Sequence, residues 1–327
     1  MSNHKILCFG ELLVRLQSIS ERFFEKNKLD IYPGGSEANV AVALAQLKIP
    51  VRYVTAVPEN AMTHEIRQVL EDQQVDTSKI LFQGDRLGSY FLLSPNGLSN
   101  GEVIYDRKYS SFSQLQVGSI DWDKILAGIT WFHFTALTPA LNTNLAAVCL
   151  EVLKLAKAKG ITVSVDLNYR SKLWQYGKDP IEVMPALVEY ADVIMGNIWA
   201  ANKMLGTTIE AHFDHNTPQD EYVNHAKSVA KEIFERYPNC KQIANTFRFM
   251  KDAKHNLLYA TYHSPKADFV SQRFETSALI DRIGSGDAFM AGLIKAITTD
   301  LSGQEVIDFA TKIGFDKLFV EGDFIKL

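Results

Sequence analysis

Cysteine is scarce in this chain. Its 327 residues hold three, Cys8, Cys149 and Cys240, widely separated and odd in number. They make no disulfide framework and no metal-ligand spacing, which fits a reducing cytoplasm. Cys8 lies in an apolar strand-like run and Cys149 in a helical one, so buried thiols are the expectation. Long apolar runs are also missing. No stretch approaches about 18 residues, so no membrane span is expected. The opening MSNHKILCFGELLVRL has too short an apolar stretch for a secretion signal and lacks a cleavage site. Neither sign of charge dominates: 34 Lys and Arg against 38 Asp and Glu leave a net charge of −4. That balance gives no global pull toward nucleic acid or an anionic membrane, and neither is an expected partner. A small anionic ligand must be met by local positive groups. The best-known phosphate signatures are absent too. After Gly284 and Gly286, the third small residue of a dinucleotide fingerprint is replaced by Phe289. Asp287 follows Gly286 where a Walker A loop needs lysine. No catalytic-loop or Asp-Phe-Gly set of a protein kinase is present.

What is there is an ordinary globular balance, 46% hydrophobic and 22% charged, long enough for one large α/β domain or two smaller ones. Apolar strand-like runs alternate with amphipathic helical runs. Strands are predicted at 6–9, 51–57, 131–135, 162–166, 193–196 and 242–246. Helices are predicted at 38–47, 65–73, 145–159, 185–189, 226–237, 288–297 and 304–315. This order argues for a doubly wound, mainly parallel sheet with helices on both faces. Residues 12–33 and 86–116 break the pattern and read as antiparallel hairpins. Ser89–Leu93 and Val103–Arg107 alternate, with Pro95-Asn96-Gly97 as the turn between them. A small sheet made from these insertions would serve as a lid, a subunit contact or plain surface decoration. His212–Gln219 reads as a polar loop, and no internal repeat is seen.

Asp281-Arg282-Ile283-Gly284-Ser285-Gly286-Asp287-Ala288-Phe289 carries the most chemistry. A glycine-rich turn opens an apolar helical run. Bare backbone at Gly284 and Gly286 lets successive N–H groups face one cavity, and the helix start adds partial positive charge. Such a site suits a phosphate whose charge grows during transfer. Asp287 would repel that phosphate unless it accepts a proton from an attacking hydroxyl. The plainer reading is a capped helix after a loop.

Gly34-Gly35-Ser36-Glu37-Ala38-Asn39 near the start, with DRIGSGDAF near the end, resembles the ribokinase-type (PfkB) carbohydrate kinase family over nearly the whole chain. The phrases IYPGGSEANVAVALAQL, RLGSYFL, VIYDR, WFHFTALTPAL and DLNYRSKLW are similar to its 2-keto-3-deoxygluconate kinase branch. The resemblance implies a ribokinase-like core, residues 1–11, 34–85 and 114–327, under a small β lid, residues 12–33 and 86–113, that often mediates a homodimer. It implies ATP and Mg²⁺ as cofactors and a sugar acid as substrate, with transfer of the γ-phosphate to the primary hydroxyl of 2-keto-3-deoxygluconate. Asp287 matches the family's base, and Gly284, Ser285 and Gly286 its anion hole. Gly34, Gly35 and Asn39 match the sugar signature. Tyr90, Tyr105, Arg107 and Arg170 fall where keto-deoxy-acid kinases hold their substrate. Asn168, Asn197, Arg248 and Asp281, with Gly284 and Gly286, fall on the nucleotide side. No metal ligand is assigned.

The residue chemistry agrees and leaves alternatives. Arginine presents a planar fork suited to carboxylate or phosphate. Read alone, Arg107 is equally a solvated lid charge, Arg170 a structural partner of Asp166, and Arg248 a surface charge. Tandem Gly34-Gly35 permits close approach of a sugar or makes a turn. Asn39 offers a donor and an acceptor to hydroxyls. Tyr90 and Tyr105 read equally as sheet packing. Trp131, Phe132, Phe134 and His133 read as core. The family's usual Asn-x-x-Glu is here Asn197-Ile198-Trp199-Ala200, without the carboxylate, which puts metal affinity in question. Two other functions stay open at this point: another kinase of the family, such as a fructokinase, and a sugar- or nucleotide-binding homologue without turnover.

Overall fold

The computed structural model describes residues 4–20, 22–93, 102–214, 216–250 and 255–327. In chain order its strands are β1 (Ile6–Phe9), β2 (Leu13–Ser18), β3 (Leu29–Gly34), β4 (Val51–Val54), β5 (Ala56–Val57), β6 (Leu81–Phe82), β7 (Gly88–Leu93), β8 (Glu102–Asp106), β9 (Trp131–Thr135), β10 (Thr162–Asp166), β11 (Val193–Gly196), β12 (Gln242–Met250), β13 (Asn256–His263), β14 (Asp268–Val270) and β15 (Phe274–Thr276). Its helices are α1 (Ser36–Gln46), α2 (Ala61–Asp72), α3 (Trp122–Leu126), α4 (Thr143–Ala158), α5 (Pro180–Val188), α6 (Ile198–Leu205), α7 (Gln219–Arg236), α8 (Ser285–Ile297) and α9 (Gly303–Asp316).

The main sheet has the order β14-β13-β12-β11-β10-β9-β1-β4, with β15 also on β13. From β4 to β12 all pairs are parallel; β13 turns back antiparallel on β12. The central strands are buried along their whole length, as a sheet covered on both faces requires. Alternate residues serve opposite cores. Leu7, Phe9, Phe132, Phe134, Val163 and Val165 pack with α4 and α5, whereas Ile6, Cys8, Trp131, Val193 and Met195 pack with α1, α8 and α9. His133 is buried in this sheet. Its Nδ1 lies 3.0 Å from Ser164 Oγ, and desolvation holds its pKa down to about 3, so it stays a neutral core residue. Among the described residues no helix is long and apolar enough to cross a membrane.

Four readings from sequence need correction. The helix placed at 226–237 begins seven residues earlier, at Gln219. The run 51–57 is two strands. Thr55 leaves the main sheet, its hydroxyl accepting the Leu12 amide at 3.2 Å, and β5 pairs instead with β6. The helix placed at 185–189 begins five residues earlier, at Pro180. There a capping box of Asp179 and Glu182 opens it, and Pro185 lies inside. The strand at 242–246 continues to Met250 and forms a long hairpin with β13 that periodicity alone did not reveal.

The second sheet has the order β3-β2-β7-β8. Each insertion contributes an antiparallel pair, and β2 and β7 join the two in parallel. The turn expected at Pro95-Asn96-Gly97 lies outside the described residues.

Candidate active site

Parallel strands deliver their carboxyl ends to one edge. Asp166 at the end of β10 stands beside Thr135 of β9 and Met195 of β11, and Gly196 stands beside Asn245 of β12. A cavity of about 520 Å³ lies along that edge, between the starts of α1 and α8 and the underside of the second sheet. Open α/β sheets place ligands there.

Two glycines shape its floor. Gly35 caps α1 at φ 127°, with the Glu11 carbonyl where a Cβ would stand. Gly284 caps α8 at φ 81°, pressed in the same way against the Asp323 carbonyl. Any side chain would strain both turns and displace backbone. At the start of α8, among the described residues, the amides of Gly286 and Asp287 have no backbone partner, as a helix's first turn requires. The Ser285 hydroxyl points inward instead and donates to the Gly314 carbonyl at 2.8 Å. Ser285 therefore offers the cavity its backbone, not its side chain.

Asp287 occupies the first turn of α8 and is held from both sides. Ser36 Oγ donates to Oδ1 at 2.5 Å, and Asn39 Nδ2 donates to Oδ2 at 2.7 Å. Burial raises its pKa, opposed by those two bonds and by the charges of Arg170 and Lys317. Asp166 shares the cavity. Burial pushes it up to about 7, the Asn168 amide bond opposes this, and the charge of Asp287 adds to it. Asn168 has φ 21° and donates to Ser36 Oγ at 3.3 Å, tying the end of β10 to the start of α1.

The other expected residues divide. Gly35, Asn39, Tyr90, Tyr105, Arg107, Arg170, Asn168, Asn197 and Arg248 line the cavity. Gly34 does not; it stands behind the wall, where a side chain would strike the Asp323 carboxylate. Asp281 does not line it either. Its fully buried carboxylate takes Arg15 Nη2 at 2.9 Å, the Ile283 amide at 2.9 Å and the Gly322 amide at 3.1 Å. Arg107 is no solvated lid charge: it is buried, with Nε 2.5 Å from Glu11 Oε2. Among the described residues Arg170 makes no ion pair with Asp166; it donates to the Tyr169 carbonyl at 3.5 Å, and it is exposed and lines the cavity. Asn197 caps α6, its Oδ1 accepting the Ala200 amide at 2.8 Å. Tyr90 and Tyr105 pack ring against ring at 6.3 Å, and Tyr90 Oη donates to Asp323 at 3.3 Å.

Sequence reasoning missed Asp166, Asp323, Arg282 and Trp199, all of which line the cavity. Asp166 had a legible signal, a carboxylate at the carboxyl end of a core strand. Asp323 had none, because it arrives from the chain's last residues and is fixed by Arg15 Nε at 2.9 Å. Burial pushes Asp323 up to about 7, against the pull of Arg15.

The cleft thus sets a buried carboxylate beside bare helix-start amides, under a second sheet. Residues 3–315 match the pfkB family carbohydrate kinases, and the chain belongs to that family. It is 24% identical over 320 residues to a 2-dehydro-3-deoxygalactonokinase of Haloferax volcanii, covering 98% of this chain and 92% of that one. It resembles the crystal structure of a 2-dehydro-3-deoxygluconokinase from Thermotoga maritima at TM-score 0.89 and 33% identity, covering 99% and 96% of the two chains. A fructokinase with bound ATP from Xylella fastidiosa shares the fold at TM-score 0.76 and 20% identity, covering 99% and 94%.

Proposed function

We propose that this kinase transfers the γ-phosphate of ATP to the primary hydroxyl of 2-keto-3-deoxygluconate or a close keto-deoxy sugar acid. The observation that carries the reading is Arg170. Its guanidinium lines the cavity near Asp287 and Asp166, and among the described residues no carboxylate pairs with it, so it can take the substrate's own. Asp287 would accept the proton of the attacking hydroxyl, with Ser36 and Asn39 aiming its oxygens. The Gly286 and Asp287 amides would meet charge gathering on the transferring group. The second sheet, residues 12–33 and 86–113, would close over the cavity and exclude water.

Among the described residues no group of three or more His, Cys, Asp and Glu could hold a metal. A hydrated magnesium ion needs only one or two protein ligands, and Asp166 and Asn197, both lining the cavity, would hold it. Bound there, the ion would neutralise phosphate charge during transfer.

One observation favours a second reading. Arg107 is already compensated by Glu11, which would suit a neutral ketose as in a fructokinase. ADP release with Mg-ATP separates the two, using 2-keto-3-deoxygluconate, 2-keto-3-deoxygalactonate, fructose, ribose and no sugar. Turnover confined to the keto-deoxy acids, with KM raised at least tenfold by Arg170→Ala, is expected. Turnover on fructose, untouched by that substitution, would replace the sugar acid with a neutral sugar.

A further inference from the structure

Two cavity arginines stand apart from the sugar side. Arg248 lies near the end of β12 with its surface open to the cavity, and among the described residues no hydrogen bond or ion pair engages it. Arg282 lies two residues before Gly284. One of its nitrogens meets only the thioether of Met250, at 2.7 Å, a weak acceptor. Its Nε and Nη2 are buried without a partner. The neighbouring carboxylate cannot serve it, because Asp281 is spent on Arg15 and two backbone amides. The two guanidiniums feel each other. Crowding within the cleft, and then the like charges of Arg282 and Arg170, lower Arg248 to about 10.

Uncompensated like charges side by side oppose folding, and unpaired buried N–H groups add to that cost. The arrangement makes sense if its counter-charge arrives as ligand. A fork of donors suits phosphate oxygens two at a time, and a pair of forks suits a chain of phosphates better than a single one. The bare amides of Gly286 and Asp287 open onto the same cavity. No protein-built metal cage competes for that role among the described residues.

We propose that Arg248 and Arg282 form a clamp for the polyphosphate chain of the donor, one that grips the chain without a metal ion. The clamp rests on the kinase reading of the cavity and deepens it.

The test is calorimetric titration of the intact protein with inorganic tripolyphosphate, in EDTA and without nucleotide. Binding by the native protein is expected. Arg248→Ala and Arg282→Ala should each weaken it about tenfold or more, the size of one lost charge-assisted contact. Circular dichroism establishes that the variants are folded. Should Arg282→Ala fail to fold, Arg282→Lys takes its place and should also bind more weakly, because an ammonium cannot supply the fork. Unchanged affinity in the folded variants, or no binding of tripolyphosphate by the native protein, overturns the clamp. Mg-ATP turnover on the sugar panel is measured in parallel. Turnover without tripolyphosphate binding rejects the clamp and leaves the kinase reading. Binding without turnover on any sugar keeps the clamp and rejects the proposed acceptor.

Discussion

The proposed role asks two opposed things of Asp287: to stay ionised near a phosphate and to take a proton on demand. Burial raises its pKa, while Ser36, Asn39, Arg170 and Lys317 keep it from rising further. Asp287→Asn keeps the size and the hydrogen-bonding capacity but cannot act as base. It should leave a folded protein with kcat lowered by about 10²–10⁴; near-native turnover in that variant would remove Asp287 as base. The pH profile has a definite sign. A base works when deprotonated, so activity should fall as pH drops through the raised pKa, above the ordinary aspartate range. Arg170→Ala removes a charge that lowers this pKa and should move the acid limb of kcat to higher pH. A limb that stays in place would mean the two groups are uncoupled. Glu37 gives a stability counterpart. It is buried with its carboxylate accepting the Thr135 amide at 2.9 Å and the Thr135 hydroxyl at 2.7 Å, yet desolvation pushes it up to about 7. The folded state then binds a proton that the unfolded chain releases near 4.5. Its contribution is therefore full below that value and is lost as pH rises toward 7 and beyond. Glu37→Gln should flatten this part of the Tm–pH curve between about pH 5 and 8, which thermal melts across that range would show. Asp287, Gly284 and Gly286 were legible because their chemistry is local to one helix start. Asp281 and Arg282 sit in the same phrase and were harder to read, because what engages or ignores them comes from β2 and β12.

At the scale of elements, the second sheet is tied to the core by buried charge. Arg15 on β2 is fully buried, with Nη2 2.9 Å from Asp281 and Nε 2.9 Å from Asp323, its plane 4.3 Å over the Tyr32 ring. One side chain thus joins β2, the loop before α8 and the C-terminal segment. Removing one partner of such a group strands the others, at a cost of about 3–5 kcal/mol. Arg15→Ala should lose stability on that scale in urea titration, and a loss under about 1 kcal/mol would show the cluster to be nearly neutral. Arg107 and Glu11 make a second tie, from just past β8 to just past β1. The helices and central strands were legible element by element, since each carries its own periodicity. The hairpin of β12 with β13 was not, because its Phe247, Phe249, Leu257 and Tyr259 pack around Tyr222 in a small aromatic core that no local period announces.

For the whole molecule, the outer face of the second sheet carries Ile31 at 62% exposure and Ile104 at 44%, unusual for a face meant for water. A homodimer through that face is the expected assembly. Sedimentation should show a dimer for the native chain and a monomer for the double variant Ile31→Glu, Ile104→Glu, with folding retained; a native monomer would leave the face unexplained. By itself the sequence determined the alternation of strands and helices, the parallel sheet that follows from it, and the helix-start turn with its aspartate. These rest on contacts a few residues apart. Tertiary structure alone decided which charges are free to bind and which are already spent. Arg107 met Glu11, Asp281 met Arg15, and among the described residues Arg170, Arg248 and Arg282 were left without a carboxylate. Ion pairing depends on distance in space, and the residues brought together are up to 266 positions apart in the chain.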